Sequence, residues 1–228
     1  MITGQVVGHG TAITAGGMRV GYRLIIPAKT PANMGVIATE AKRWRAAVER
    51  YQRLAIAGRL SGPVARRALF VEECLAHAGE TLRTGKCCLI VAQDDTGRIL
   101  GLTEYTVVGP IAYLNLQAID PEQLPGSPGA GQLRGIGTGL LAAASRDFLA
   151  RNVQTVYVHP LDAEATKWWT QRGLGVCEGG SLCIRGRVGI EALKGVCEVR
   201  PDCPDLADCL VCGTRDQTEA MRLPARRA

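Results

Sequence analysis

Three glycines, at positions 135, 137 and 139, precede an apolar segment with helical spacing. Glycine leaves backbone N–H groups uncovered by side chains, and the first turn of a helix carries partial positive charge. A phosphate or pyrophosphate is the kind of ligand that such amides hold. The same glycines would also suit a connector that allows tight helix–sheet packing, and taken alone they favour neither explanation.

The class of phosphate ligand can be narrowed from the neighbouring residues. A Walker loop requires a lysine after its last glycine, and none follows here, which argues against a P-loop nucleotidase. A dinucleotide fingerprint fits as Gly137-x-Gly139-x-x-Ala142, with Asp162 about twenty residues further on. That fingerprint should follow a strand directly, whereas a Pro/Gly-rich loop intervenes here. A nucleotide-dependent dehydrogenase is therefore a weak alternative.

The glycine segment resembles a signature of the GNAT N-acetyltransferase superfamily. Arg134-x-x-Gly137-x-Gly139 is similar to its Q/R-x-x-G-x-G/A motif, whose amides hold the pyrophosphate of acetyl-coenzyme A. The preceding residues, AIDP at 118–121, resemble the family's AVxP strand end, which pairs with the pantetheine arm. Downstream, DxxAxxxWxxxGL at 162–174 follows the spacing of the family's NxxAxxxYxxxGF segment. The resemblance covers roughly residues 20–188.

This resemblance implies a fold, an activity and a set of site residues. The fold would be mixed α/β, a bent and largely antiparallel sheet with one parallel, splayed strand pair, flanked by helices. The activity would be transfer of an acyl group, most simply acetyl, from acetyl-CoA as co-substrate to a primary amine by direct attack. The cofactor-binding residues would be Ala118, Ile119, Gln132, Leu133, Arg134, Gly135, Ile136, Gly137, Thr138, Gly139, Asp162 and Trp169.

Two departures from the family pattern bear on catalysis. Trp169 stands where the family often has the tyrosine that protonates the leaving thiolate, and an indole N–H is no acid at neutral pH. Asp162 replaces the common asparagine, which places a carboxylate near a polyanionic cofactor unless its side chain turns away. A non-catalytic module that binds or senses acyl-CoA is therefore the alternative function.

Acetylation of an amine requires a group that accepts the amine's proton. Glu104 lies in a predicted strand that is half buried, and its alternative is a solvent-facing position on that strand. His159 ends the strand expected to run beside the cofactor, and histidine titrates in the useful range; its alternative is a surface histidine. Glu104 and His159 are the predicted catalytic residues, acting through water.

The nine cysteines allow several arrangements. Four in the C-terminal part could supply thiolates to zinc, although the resulting gaps match a zinc motif poorly, and we expect no metal. Cys177 and Cys183 face each other across a predicted hairpin, so they could join such a site or form a disulfide. The odd number and the absence of a secretory signal favour a reducing, cytoplasmic location. The C-terminal four are Cys197, Cys203, Cys209 and Cys212.

Hydrophobic periodicity predicts the elements that would position these residues. One strand is expected over 18–27, then a helix through Ile37 capped by Asn33, and a second helix opening at 61–63. The first seventeen residues are predicted to be irregular. The later elements alternate strands and helices, and the strand at 111–119 should run parallel to the strand at 154–159. They are predicted as strands 86–93, 98–108, 111–119 and 154–159, helices 136–149 and 163–172, and a hairpin over 174–188.

Length and composition limit the domain organisation and the classes of partner that the protein can have. The 228 residues suit one domain with an extension, predicted here as an acyltransferase domain over 1–188 and a cysteine-rich extension over 189–228. The formal charge of +6 is mild: it suits an anionic ligand and does not indicate nucleic acid. No segment is long and apolar enough to suggest a membrane partner. The oligomeric state stays open, a homodimer included.

Overall fold

The computed structural model describes residues 1–14, 17–124, 127–128 and 133–193. The fold is a mixed sheet with helices packed on both of its faces. The strands are β1 (Gly4–Ile13), β2 (Arg19–Pro27), β3 (Cys88–Gln93), β4 (Ile99–Val108), β5 (Ile111–Ile119), β6 (Thr155–Val158), β7 (Gly175–Val176) and β8 (Leu182–Arg185). The helices are α1 (Pro31–Ile56), α2 (Gly62–Thr84), α3 (Ile136–Ala150), α4 (Ala163–Thr170) and α5 (Gly186–Ala192).

The sheet has eight strands in the order β1-β2-β3-β4-β5-β6-β8-β7. Neighbouring strands are antiparallel except β5 and β6, which are parallel and are joined through α3. The predicted mixed fold with one parallel pair is therefore confirmed. The expectation that residues 1–17 are irregular is wrong, because β1 lies along β2 from Gly4 to Ile13 with a register shift around Val7.

Helix α1 begins earlier than the hydrophobic pattern indicates. Thr30 is its N-cap and accepts from the backbone N–H of Asn33, while Pro31 occupies the first turn, where its fixed φ suits a helix. The prediction of Asn33 as the cap is wrong. Asn33 is fully buried, and its side-chain amide donates to the carbonyl oxygens of Thr3 and Ala28, so it fastens β1 to α1.

Two apolar cores lie on opposite faces of this sheet. On one face α1 and α2 pack on the sheet around Trp44, Tyr51 and Leu75. On the other face α3 covers it, with Leu140 and Phe148 fully buried. The sheet is thus closed on both sides over most of its width, as an α/β arrangement requires.

The folded unit extends beyond the predicted domain boundary at residue 188. Helix α5 crosses that boundary, and Ile190 and Leu193 are buried in the core beside α3. The division into a domain and a C-terminal extension stays a prediction, since residues 194–228 lie outside the described part of the chain. None of the helices in the described part of the chain is long and apolar enough to cross a membrane.

Candidate functional site

The first turn of α3 presents uncovered backbone amides. Gly135 is the N-cap, in a left-handed conformation with φ of 102°, and it has no side chain to accept from the N–H groups that follow. The approach to this turn is fixed by two hydrogen bonds between Arg134 and Ile13 of β1, with N···O distances of 3.0 and 2.9 Å. The turn is therefore held in place while the amides of residues 136–138 have no capping side chain.

The two glycines inside α3 have different roles. A Cβ on Gly139 would lie 2.0 Å from the hydroxyl oxygen of buried Tyr22, so this glycine permits close packing between helix and sheet. A Cβ on Gly137 would meet only the Gln117 amide nitrogen at 3.1 Å and the Trp168 ring at 3.7 Å. Gly139 thus fits the packing explanation, whereas Gly137 lies on the side of the turn where a ligand would approach.

Strand β5 has a free edge next to this turn. Its parallel pairing with β6 stops at Leu114 opposite Val158, and within the described chain no strand continues the pairing along residues 115–119. A register shift against β4 leaves Asn115 without a paired residue on that strand, so β5 bends where its pairing with β6 ends. Gln117 then donates from Nε2 to the Gly137 carbonyl at 2.9 Å, which ties the free edge to α3.

Buried charge anchors the end of β5. Ala118 is buried, Ile119 is half buried, and Asp120 is fully buried. The Asp120 carboxylate binds the guanidinium groups of Arg98 at 2.7 Å and Arg43 at 2.9 Å. Because the side chains are engaged, only the backbone of this strand end is available to a ligand.

The side chains predicted in and before α4 to bind the cofactor are engaged in contacts within the protein. Asp162 is the N-cap and accepts from the Ala165 N–H at 2.8 Å, and Arg67 of α2 pairs with its other oxygen at 2.9 Å. The Ala165 N–H and then Arg67 hold the pKa of Asp162 below its usual range, and Glu164 contacts the same arginine. Trp169 is 6% exposed and packs edge-on against Trp168, with ring centroids 4.6 Å apart.

Sequence reasoning missed Arg172. Its guanidinium lies 3.5 Å from the centroid of the Trp168 ring and donates from Nη2 to Thr138 Oγ1 at 3.2 Å, and its buried Nε has no hydrogen-bond partner among the described residues. Burial lowers the pKa of Arg172 to about 10, and no carboxylate within the described residues pairs with it. A positive charge left uncompensated beside the first turn of α3 would match an anion. In the sequence, the signal that could have identified Arg172 was its position three residues after Trp169, a predicted cofactor-binding residue.

The two predicted catalytic residues occupy different environments. Glu104 is 1% exposed and faces α2, where Thr81 donates to one carboxylate oxygen and Asn115 donates to the other at 3.2 Å. The solvent-facing alternative for Glu104 is therefore wrong. His159 lies just beyond β6, is exposed, and has Ser181 Oγ within 3.3 Å of its ring nitrogens. Glu104 is thus the one adjacent to the bend in β5.

The cysteines considered as metal ligands fall into two sets, of which the structure describes one. Cys177 and Cys183 form a disulfide with Cα atoms 5.9 Å apart, so they do not join a metal site. The residues that the structure describes contain no cluster suited to a metal ion. The four C-terminal cysteines, Cys197, Cys203, Cys209 and Cys212, and also Gln132, lie outside the described residues.

Comparison with known proteins finds similarity to solved structures. No protein-family model and no curated protein matches the chain. AtaT bound with acetyl-CoA is 20% identical over 54% of this chain and 82% of its own, with a TM-score of 0.44. The PaiA N-acetyltransferase from Thermoplasma acidophilum, in complex with coenzyme A, is 15% identical over 71% and 96%, with a TM-score of 0.44. Nourseothricin acetyltransferase is 15% identical over 44% and 64%, with a TM-score of 0.35.

The sheet order with its one parallel pair, closed by helices on both faces, is the mixed α/β arrangement that the sequence predicts. At identities of 20% or less and TM-scores of 0.44 or less, the likeness to these structures carries no conclusion about what this chain does. The assignment of an activity has to come from the chain's own residues.

Proposed function

We propose that the protein is an acyl-CoA-dependent N-acyltransferase that transfers an acetyl group to a primary amine. One observation carries this proposal: the uncapped first turn of α3 lies beside the free edge of β5, and the Gln117–Gly137 hydrogen bond joins them. A single ligand with a diphosphate at one end and an amide-containing arm at the other would satisfy both. Coenzyme A has that chemistry.

The chain's own groups fit such a donor. The amides of residues 136–138 would hold the diphosphate at the positive end of the helix. Arg172 would supply a positive charge to the diphosphate. Its buried Nε has no partner in the described chain, and an anion would compensate the burial that lowers its pKa. The backbone at Ala118 and Ile119 would pair with the pantetheine arm, with Leu133 and Arg134 beside the turn. The predicted cofactor-binding residues thus remain part of this proposal.

In the reaction, the thioester supplies an activated acyl carbon. The amine nitrogen forms a bond to that carbon, the carbon–sulfur bond breaks, and the sulfur leaves with the bonding electrons. The amine's proton goes to Glu104, which lies beside Asn115 at the bend of β5; His159 is the second candidate for this role. Trp169 offers no acidic hydroxyl, so the sulfur takes its proton from water.

A non-catalytic acyl-CoA sensor is the second candidate function. Trp169 favours it, because its ring is 6% exposed and packed against Trp168 in the position where the family's acid often lies. The donor site proposed above would be the same in a sensor, and only the turnover would be missing.

One experiment separates these functions. The purified protein is mixed with acetyl-CoA and a panel of small amines, peptides with free N-termini and aminoacylated RNA, and the acylated product is followed by mass spectrometry. We expect acetyl-CoA to raise the melting temperature and an amine to acquire 42 mass units, roughly one acetyl group. Binding without product in every mixture would support the sensor. Tighter binding of NAD than of coenzyme A would support the dehydrogenase alternative instead.

A further inference from the structure

Glu104 is a buried carboxylate with hydrogen-bond donors at both of its oxygens. Its side chain is 1% exposed, and burial of a charged carboxylate is costly unless donors surround it. Thr81 of α2 and Asn115 of β5 are such donors. A base in this position can accept a proton, but it has no direct route by which to return that proton to water.

His77 lies between this carboxylate and the solvent. It precedes Thr81 by one helical turn of α2, so both side chains lie on the same face of the helix. Its Nε2 is 3.6 Å from Glu104 Oε1, the oxygen that Asn115 also contacts. The His77 side chain is 56% exposed, against 1% for Glu104. The imidazole therefore contacts bulk water on one side and faces the buried carboxylate on the other.

The other titratable groups around Glu104 do not offer this connection. Cys74 of α2 is buried, and burial raises the pKa of its thiol to about 12. Glu73 lies beside Cys74, and Glu80 is paired with Arg83 on the outer side of α2. On the sheet side, the sulfur of Cys87 is contacted by Thr106 and Asn115. Among the described residues, His77 is the titratable group that combines contact with Glu104 and exposure to water.

We infer that His77 is a positioning residue that passes the proton from Glu104 to solvent after each acyl transfer. This inference rests on the proposed function, with Glu104 as the base. The proton taken from the amine resides on Glu104, moves to the neutral imidazole by a small rotation of the exposed ring or through one water, and leaves from the ring to bulk water. The carboxylate is thereby restored, and no further reactant is consumed.

The test compares H77Q with H9Q in the full chain. His9 is exposed on β1 at a distance from α2 in the sequence and serves as the matched control. With saturating acetyl-CoA and an accepted amine, we expect H77Q to lower kcat about tenfold. H9Q should keep the wild-type kcat.

Added imidazole provides a second measurement, because the position of His77 is open to solvent. Imidazole should restore most of the kcat of H77Q and leave E104Q inactive. A wild-type kcat in H77Q with no effect of imidazole, beside an inactive E104Q, would overturn the role of His77 alone. Full activity in E104Q would remove the base assignment and this inference with it. Absence of product from every amine in the wild-type protein would remove the proposed function as well.

Discussion

Gly137 and Gly139 lie half a helical turn apart and meet different neighbours. Gly139 faces the Tyr22 hydroxyl, which any Cβ would overlap, whereas Gly137 faces Gln117 and Trp168 at ordinary or slightly close distances. Gly137 also has no positive φ that would strain a side chain. It can therefore be substituted without breaking the packing of α3, and it tests the site rather than the fold.

We expect Gly137→Glu to weaken coenzyme A binding by more than about 100-fold, because the carboxylate occupies the phosphate position and opposes the phosphate charge. Calorimetric titration with coenzyme A measures this. Gly175→Glu is the matched control, since a Cβ at Gly175 meets no atom within 4 Å. A folded Gly137→Glu protein with wild-type affinity would show that the ligand binds elsewhere.

Arg172 gives a second prediction at this scale. Arg172→Met should weaken coenzyme A binding about tenfold or more, because a charge-assisted contact to phosphate is lost, and should leave binding of pantetheine, which lacks phosphate, unchanged. The melting temperature of the free protein should fall only slightly, because the lost hydrogen bonds to Thr138 and to the Trp168 carbonyl are partly offset by removal of a half-buried charge that has no carboxylate partner in the described chain. The exposed Arg59→Met controls for net charge. Equal losses for both ligands would contradict a phosphate contact.

Single residues differ in how far their roles can be predicted from sequence. The glycines at 135 and 137 were predictable, because the chemistry of an uncovered helix start follows from residue type alone. The burial of Glu104 was not, because strand alternation places a side chain on one face without telling which face α2 covers. Arg172 could not be identified from the sequence for a similar reason: its importance comes from its buried guanidinium, which no carboxylate pairs with in the part of the chain that the structure describes, and this depends on tertiary contacts.

At the scale of elements, α4 is held at its first turn by Asp162. This side chain does two things at once: it caps the helix through the Ala165 N–H, and it pairs with Arg67 of α2. Asparagine keeps the first function and loses the second, while alanine loses both. The two substitutions therefore separate the cap from the ion pair.

We expect Asp162→Ala to lower the free energy of unfolding by about 1 kcal/mol and Asp162→Asn to lower it by less, since partly exposed ion pairs contribute little. Urea denaturation measures both. The pKa of Asp162 is lowered in the folded state by the Ala165 N–H and then by Arg67, so its stabilisation is present above about pH 4 and is lost as the pH falls through the folded value. Equal destabilisation by both variants at neutral pH would show that the ion pair dominates.

Elements with strong periodicity were predictable, and those held by tertiary contacts were not. The ranges predicted for β5 and α3 agree with the structure within one residue, because apolar residues recur with a clear period in both. Strand β1 lacks such a pattern, since glycine, histidine and threonine interrupt it, and it is held by pairing with β2 and by Asn33. Helix α1 starts early because Pro31 and Thr30 form its first turn, upstream of the apolar periodicity.

At the scale of the whole molecule, one sheet separates two apolar cores that share it. Leu75 is fully buried between α2 and the sheet, and Leu140 is fully buried between α3 and the opposite face. Neither layer of helices can leave without exposing one face of the sheet. Loss of either core should therefore unfold the other.

Leu75→Ala and Leu140→Ala are each expected to cost about 2–5 kcal/mol, through lost burial and the cavity left behind. Both should lower one common transition, seen at the same temperature by far-UV circular dichroism and by tryptophan fluorescence. Trp44 reports on the core under α1 and α2, while Trp169 reports on the core beside α3. Leu69→Ala on α2 is the control, because Leu69 is 39% exposed and its loss should change stability by less than about 0.5 kcal/mol. Two separated transitions, with each variant melting its own core first, would show that the sheet does not couple the two layers. The site combines α3 with β5 of the shared sheet, so in that case it would have to be assigned to the α3 layer alone.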